Sequence, residues 1–340
     1  MGLTGAELAR IRREYLRWAD SRIAAGAGEE DINKELSSAG LLERASDSKI
    51  AAGTVFPSYA GFLEDVTALP VPGAADLLDV RLGIGTSCGY DQTIAIYSRS
   101  PRQRVGFVDH SGDRPNIIGV PWRFSPAAAG PKDPDGRRLL AIGGYSVWCT
   151  STYISVNLRV EDIVDGTMRT LLNRDVGGRC CWNERDNVMV SVVGSAVQFR
   201  YEASMADGDI LRRPAIARFS RSGRGLQRDA PIALSRAGYV DEWLKMDDVE
   251  AARWSTAEAA QNHAALAAWG AKGFHFEQTA LCAGNPPVWQ VVVLFREPQE
   301  QRAFTLSQSR AVEMRILDVS REPRADCREP GMPELAEELK

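Results

Sequence analysis

A chain of 340 residues with 44% hydrophobic and 25% charged side chains has room for two packed domains and is too apolar for wholesale disorder. Its net charge of −4 offers no global attraction to phosphate backbones, so nucleic acid is not expected as a partner. No run of about 18 apolar residues occurs, so no transmembrane helix is expected.

The chain opens with helix signals. Thr4 and Glu7 have the spacing of a capping box. Leu8, Ile11, Tyr15 and Trp18 then share one face at spacings of three, four and three, and Gly26 and Gly28 end the helix. A second helix, about 29–39, carries Ile32 and Leu36 and stops at Gly40. Together they predict a helical hairpin within 1–44 that packs on the rest of the protein. Residues 45–76 are weakly patterned. Phe56-Pro57-Ser58-Tyr59 and Leu69-Pro70-Val71-Pro72-Gly73 read as linker or loop.

An antiparallel β domain is expected over 77–236. Candidate strands lie at 77–84, 92–98, 104–110 and 117–124, with Pro101 and Gly112 as turn residues, and a Pro/Gly/Asp-rich loop spans 126–136. The clearest unit runs from Val188 to Tyr201. Val188, Val190 and Val192 alternate with other residues, Gly194-Ser195 follows, and Val197, Phe199 and Tyr201 alternate again. Alternation on both sides of a Gly-X pair predicts a hairpin with a type II′ turn, because glycine accepts positive φ at the first turn position. Another hairpin is expected at Ser222-Gly223. A sandwich and a propeller-like arrangement both satisfy this pattern.

The pattern changes near Tyr239. Val240, Trp243, Leu244 and Met246, then Val249 and Trp254, have helical spacing. A second helix is expected over 256–269, with Ser255 or Thr256 as cap and Gly270 as stop. Four strands follow at 273–281, 288–295, 302–307 and 312–319, so 237–322 reads as a small αα-ββββ domain. Its element order is similar to that of cystatin-like and nuclear-transport-factor-like cone folds. That resemblance implies a helix-on-sheet packing and no function. The acidic tail, 323–340, is expected to pack loosely except at Cys327. The chain as a whole is α+β and β-rich.

Six cysteines are present. Cys282 and Cys327 bracket the C-terminal strands, and Cys88 and Cys149 sit beside predicted strands; these four are the disulfide candidates, and bridges among them require an oxidising compartment. Cys180 and Cys181 are adjacent and are not expected to pair with each other. Residues 1–13 lack the apolar core of a signal peptide. The location is extracytoplasmic if a leader was removed, and otherwise cytoplasmic.

Chemical motifs are sparse. Gly83-Ile84-Gly85-Thr86-Ser87-Cys88-Gly89 approaches a dinucleotide fingerprint, but strand residues stand where the phosphate-binding helix must begin. No cofactor is expected. The three histidines, His110, His263 and His275, lack the paired spacing of a zinc site, so no metal is expected either. Of the carboxylates near strand ends and loops, Asp109, Glu184 and Asp186, together with His110, are the candidate catalytic residues; solvated turns account equally for residues such as Asp162 and Asp165. Asp241-Glu242 reads as a helix cap. Trp122, Trp148, Trp182 and Tyr145 are candidate binding aromatics, since flat rings stack on sugars and partner surfaces. Arg212-Arg213 and 218–228 make the most basic stretch and read as a solvated sheet face. These features point to a binding or scaffolding protein whose partner is a small molecule, a glycan or a protein. The alternative is a hydrolase acting on glycans or cell-envelope material through loop carboxylates.

Overall fold

A computed structural model describes residues 5–38, 63–86, 89–109, 122–147, 153–179, 188–204, 212–223, 225–229, 232–233, 235–286, 288–310 and 313–330. The described residues are mostly antiparallel sheet with few helices. In chain order they form α1 (Gly5–Ala24), α2 (Glu29–Ser38), β1 (Leu63–Val71), β2 (Ala74–Thr86), β3 (Gly89–Arg99) and β4 (Arg102–Val108). Next come β5 (Trp122–Phe124), β6 (Ala128–Ala129), β7 (Arg138–Val147), β8 (Tyr153–Val164), β9 (Thr167–Arg179), β10 (Val188–Val193) and β11 (Ala196–Ser204). Then follow β12 (Arg212–Ser222), β13 (Gly225–Arg228), β14 (Ile232–Ala233), α3 (Arg236–Lys245), α4 (Asp248–Arg253), α5 (Ala257–Gln261) and α6 (His263–Gly270). The last strands are β15 (Phe274–Cys282), β16 (Val288–Phe295), β17 (Glu300–Arg310), β18 (Glu313–Ser320) and β19 (Cys327–Arg328). No described helix is long and apolar enough to cross a membrane.

The chain divides into two compact units: Met1–Phe199 with Arg221–Leu226, and Arg200–Ser220 with Gln227–Lys340. The second unit therefore reaches back beyond the change of pattern near Tyr239. Pairing of Ala215 with Ala233 and of Ile216 with Ile232 ties β12 to β14 immediately before α3.

In the first unit β1 to β4 form a four-stranded meander. Residues 63–71, read from the sequence as linker, are its edge strand, and Pro72-Gly73 is a tight turn into β2. Pro70 hid this strand: proline cannot donate to a ladder, but an edge tolerates it. One face of the meander carries Leu78, Val80, Leu82, Ile84, Ala95 and Tyr97, which pack with Ile11, Tyr15, Ala19, Ile23 and Ile32 of the helical hairpin. Tyr15 donates its hydroxyl to the Arg81 carbonyl at 3.1 Å. The Asn33 amide pairs with both backbone groups of Ala68 at 2.8 and 3.0 Å, so one side chain fastens α2 to the sheet. The capping residue Thr4 lies outside the described residues.

The other face meets a second sheet in which β5, β7, β8 and β9 lie side by side and β6 pairs β7. Leu77, Ile94, Ile96, Val105 and Val108 pack there with Phe124, Leu140, Ile142 and Ile163. Antiparallel meanders packed face to face are common to both layouts the sequence allows. The polar contact at this seam is Arg81. Its guanidinium donates to Asp79 at 2.6 Å and to the carbonyls of Phe124 and Ser125 at 2.8 Å each. Asp79 and Arg81 are both buried.

The hairpin predicted at Gly194-Ser195 joins β10 to β11, with Gly194 at φ 58°. Ser195 is not among the described residues with positive φ, as a type II′ turn requires. Asp165-Gly166, between β8 and β9, has positive φ at both positions (50° and 72°), the geometry of a type I′ turn.

In the second unit α3 to α6 cover one face of a sheet ordered β18-β17-β16-β15-β19. Tyr239, Trp243, Leu266, Trp289, Val291, Val293, Phe295, Phe304 and Ile316 fill the interface. Ser235, Asp247 and Thr256 cap α3, α4 and α5, each accepting from a backbone N–H. The expected helix over 256–269 is interrupted at Asn262, and His263 opens the next segment with its ring buried. Asp241 and Glu242 are not caps. They lie inside α3, buried because Lys245 and Arg228 neutralise them. Two of the four candidate cysteines, Cys282 and Cys327, form a disulfide that joins β15 to β19. The acidic tail is thus tied down at Cys327, the exception expected, while residues 321–326 are exposed.

Arg81→Ala removes the cation from a buried carboxylate and the donor from two carbonyls. It is expected to destabilise the first unit by about 3–5 kcal/mol in chemical denaturation.

Candidate functional site

The two sheets of the first unit share an edge. Gln92, near the start of β3, accepts from the Phe124 backbone at 2.8 Å, while Pro72, at the opposite end of the first sheet, accepts from Ala129 at 2.9 Å. The ends at Thr86/Gly89, Val108, Trp122/Ser146, Val147/Ile154 and Tyr153/Arg179 therefore lie together. Cys88, His110, Trp148, Cys149, Trp182, Glu184 and Asp186 lie outside the described residues.

Among the described candidates, Trp122 takes its place in β5 opposite Ser146. Tyr145 is buried core. Asp109 stands 3.7 Å from Arg12 of α1, whose guanidinium is itself buried. Burial lowers the Arg12 pKa, against the opposing pull of Asp109. His263 has both ring nitrogens engaged, Nδ1 with Asp248 at 2.6 Å and Nε2 with the Trp243 carbonyl at 2.8 Å. That is a satisfied core histidine. His275 is half-exposed and 2.7 Å from Glu277. No described group of three or more His, Cys, Asp or Glu side chains could hold a metal. The residues after the near-fingerprint at Gly83 pair as strands, so no helix terminus is presented there. Three arginines of the basic stretch have carboxylate partners: Arg218 with Asp229, Arg221 with Asp162, and Arg228 with Glu242.

Four residues in from the Tyr153–Arg179 end of their ladder, β8 and β9 place an amide–carboxylate cluster on one face. Asn157 stands opposite Asp175, and its Nδ2 donates to Asp175 Oδ1 and to Asn173 Oδ1, both at 2.8 Å. Only the NH₂ end of an amide is tolerable against a carboxylate, so Oδ1 is the end directed away. Asn157 is 1% exposed, and this oxygen has no partner among the described residues. Asn173 and Asp175 are exposed. Along the same face Glu161, also buried, accepts from Arg159 Nε at 2.5 Å and from the Thr170 hydroxyl at 2.9 Å. Sequence reasoning missed the cluster because asparagine carries no motif and cross-strand register cannot be read from a single strand.

At the opposite end of β8, Asp162 is fully buried between Arg137 and Arg221. Burial by itself raises its pKa. Hydrogen bonds and charge from Arg221 and Arg137 outweigh burial and hold it below the usual carboxylate range. Asp76 is lowered in the same way, burial being overcome by Arg138 and Lys132. Glu29 is lowered by a backbone hydrogen bond at its helix start and by Arg99, and Asp326 by Arg324. Every resolved carboxylate shift is thus downward, opposite to what a general acid needs.

No family model and no curated protein matches the sequence. Among solved structures, an alpha-L-arabinofuranosidase from Clostridium thermocellum aligns at 11% identity over 78% of this chain and 74% of its own, with a TM-score of 0.22. An alpha-L-arabinanase from Cellvibrio cellulosa, complexed with arabinohexaose, aligns at 8% identity over 76% and 78%, with a TM-score of 0.23. A polysaccharide lyase, Uly1, aligns at 7% identity over 80% and 63%, with a TM-score of 0.17. Superpositions this loose bear on neither the fold nor the chemistry of this chain.

Asp162→Asn is expected to cost about 1–3 kcal/mol at neutral pH, because two half-buried arginines lose a charged hydrogen-bond acceptor. The folded carboxyl has a lower pKa than the unfolded one, about 3.9. Its contribution is therefore present at neutral pH and disappears as pH falls below about 4 through the folded value. Urea denaturation of both proteins from pH 7 to pH 3 should give stability curves that converge in acid.

Proposed function

We propose that the protein is a binding protein, and that its first unit takes a polyhydroxylated ligand, a glycan or a comparable polar molecule, on the β8–β9 face without cleaving it. The amide–carboxylate cluster of Asn157, Asn173 and Asp175 carries this reading. A sugar hydroxyl donates and accepts at once, and neighbouring amide and carboxylate groups match that pairing. Exposed Asn173 and Asp175 supply the contact, and buried Asn157 holds them in register.

The rival reading, a glycan hydrolase using Glu184 and Asp186 with Asp109 or His110, needs one carboxyl kept protonated near neutrality. Among the described residues, the exposed Asn173–Asp175 face shows no such group, which favours binding.

Affinity electrophoresis through gels containing soluble polysaccharides tests the reading. The wild-type chain should be retarded in at least one gel. Asp175→Ala and Asn173→Ala should each weaken retention about tenfold, the worth of one or two hydrogen bonds. The reducing-end content of the polysaccharide should stay constant. Release of reducing ends that disappears in Glu184→Gln or Asp186→Asn would replace binding with hydrolysis.

A further inference from the structure

The second unit carries a device independent of that site. After β18, which forms one edge of the sheet, the chain reappears as β19 on the opposite edge, beside β15. Residues 321–326 must cross between them. The seven residue steps from Ser320 to Cys327 reach about 23 Å, and four strand spacings take up about 19 Å. The crossing runs over the face opposite the helices. Its midpoint is fixed by the Arg324 backbone N–H, which donates to Gln290 Oε1 at 3.1 Å, and Gln290 alternates along β16 with the helix-facing Trp289 and Val291.

Little besides the disulfide holds this strap. Residues 321–326 are exposed. β19 pairs with β15 at two positions only, Leu281 with Arg328 and Cys282 with Cys327. The Asp326 carbonyl accepts from Ala283 at 3.3 Å, and the Arg324 side chain pairs with Asp326 of the strap itself at 2.6 Å while donating weakly to the Ala283 carbonyl at 3.4 Å. On the face it crosses, Gln290 Nε2 is buried without an acceptor among the described residues, which weakens the docking. The second cysteine pairs at the far end of the crossing, where its release frees the strap's end. Cys282 is buried, whereas Cys327 is half-buried and offers its sulfur to an attacking thiolate.

We propose that Cys282–Cys327 is a redox latch. A dithiol reductant attacks the bridge and the S–S bond breaks. Two electrons and two protons pass to the chain, leaving two cysteine thiols, while the dithiol becomes a disulfide. Residues 321–328 then lift away, and the outer backbone groups of β15 around Leu281 become a free sheet edge.

Peptide-level hydrogen exchange on the full chain tests the latch, with oxidised protein, protein reduced by dithiothreitol, and an oxidised Cys327→Ser variant that isolates this bridge from the other cysteines. Exchange in peptides covering 280–283 and 321–330 should rise about tenfold or more in both the reduced protein and the variant, while 291–293 in β16 stays protected. Three results would overturn the proposal: unchanged exchange in the reduced protein and the variant, loss of protection across β16 as well, or alkylation of Cys282 before any reductant is added.

Discussion

The Asp79–Arg81 pair decides how the first unit is assembled. A strand buried on both faces has nowhere to send a charge, yet β2 carries two charged residues on its inner face. They are tolerable because each neutralises the other and because Arg81 spends its remaining donors on the Phe124 and Ser125 carbonyls of the second sheet. Those carbonyls stand near a short strand, β5, with few ladder bonds of its own. The guanidinium thus sets the position of one sheet on the other, where apolar packing alone would permit sliding.

The same logic recurs wherever the protein buries a carboxylate. Glu161 has Arg159, Asp162 has Arg137 and Arg221, Asp241 has Lys245, and Glu242 has Arg228. Burying an ion is costly, and a partner of opposite charge with good hydrogen bonds offsets the loss of water. A carboxylate held in this way serves structure. The Asn157 cluster differs in kind. It combines one charge with two amides, leaves a buried oxygen unpaired, and has two of its three members facing solvent. Such a group is poorly explained by stability and well suited to recognition.

The edges of the C-terminal sheet are treated unequally. The β18 edge is closed by the backbone between α4 and α5: Thr256 donates to the Ile316 carbonyl at 2.9 Å, and Ile316 donates to Trp254 at 3.0 Å. Tyr239 adds a hydroxyl bond to Met314 at 2.7 Å. The β15 edge has only the short β19 and a disulfide. One edge is closed by a buried network, the other by a covalent bond that chemistry can undo.

Much of the architecture was legible in the residue pattern, and the reason is periodicity. Alternation at Val188–Val192 and Val197–Tyr201 around Gly194 specifies a hairpin because strand side chains repeat every two residues, and only glycine enters that turn without strain. The helix-then-meander order after Tyr239 followed from equally local signals, whereas the partner of each cysteine did not: Cys282 and Cys327 are 45 residues apart. Polar residues were misread for the same reason. Asp162, Asp241 and Glu242 resemble solvated turn and cap residues, because polarity along the chain does not reveal a cation waiting across a sheet. Residues 63–71 looked like linker because Pro70 disguises an edge strand. Local sequence determined which segments extend, coil or turn, since those preferences act between near neighbours. Tertiary structure alone decided which charges meet, which amides cluster on the β8–β9 face and where the C-terminal strap crosses, since each of these depends on register between segments far apart in the chain.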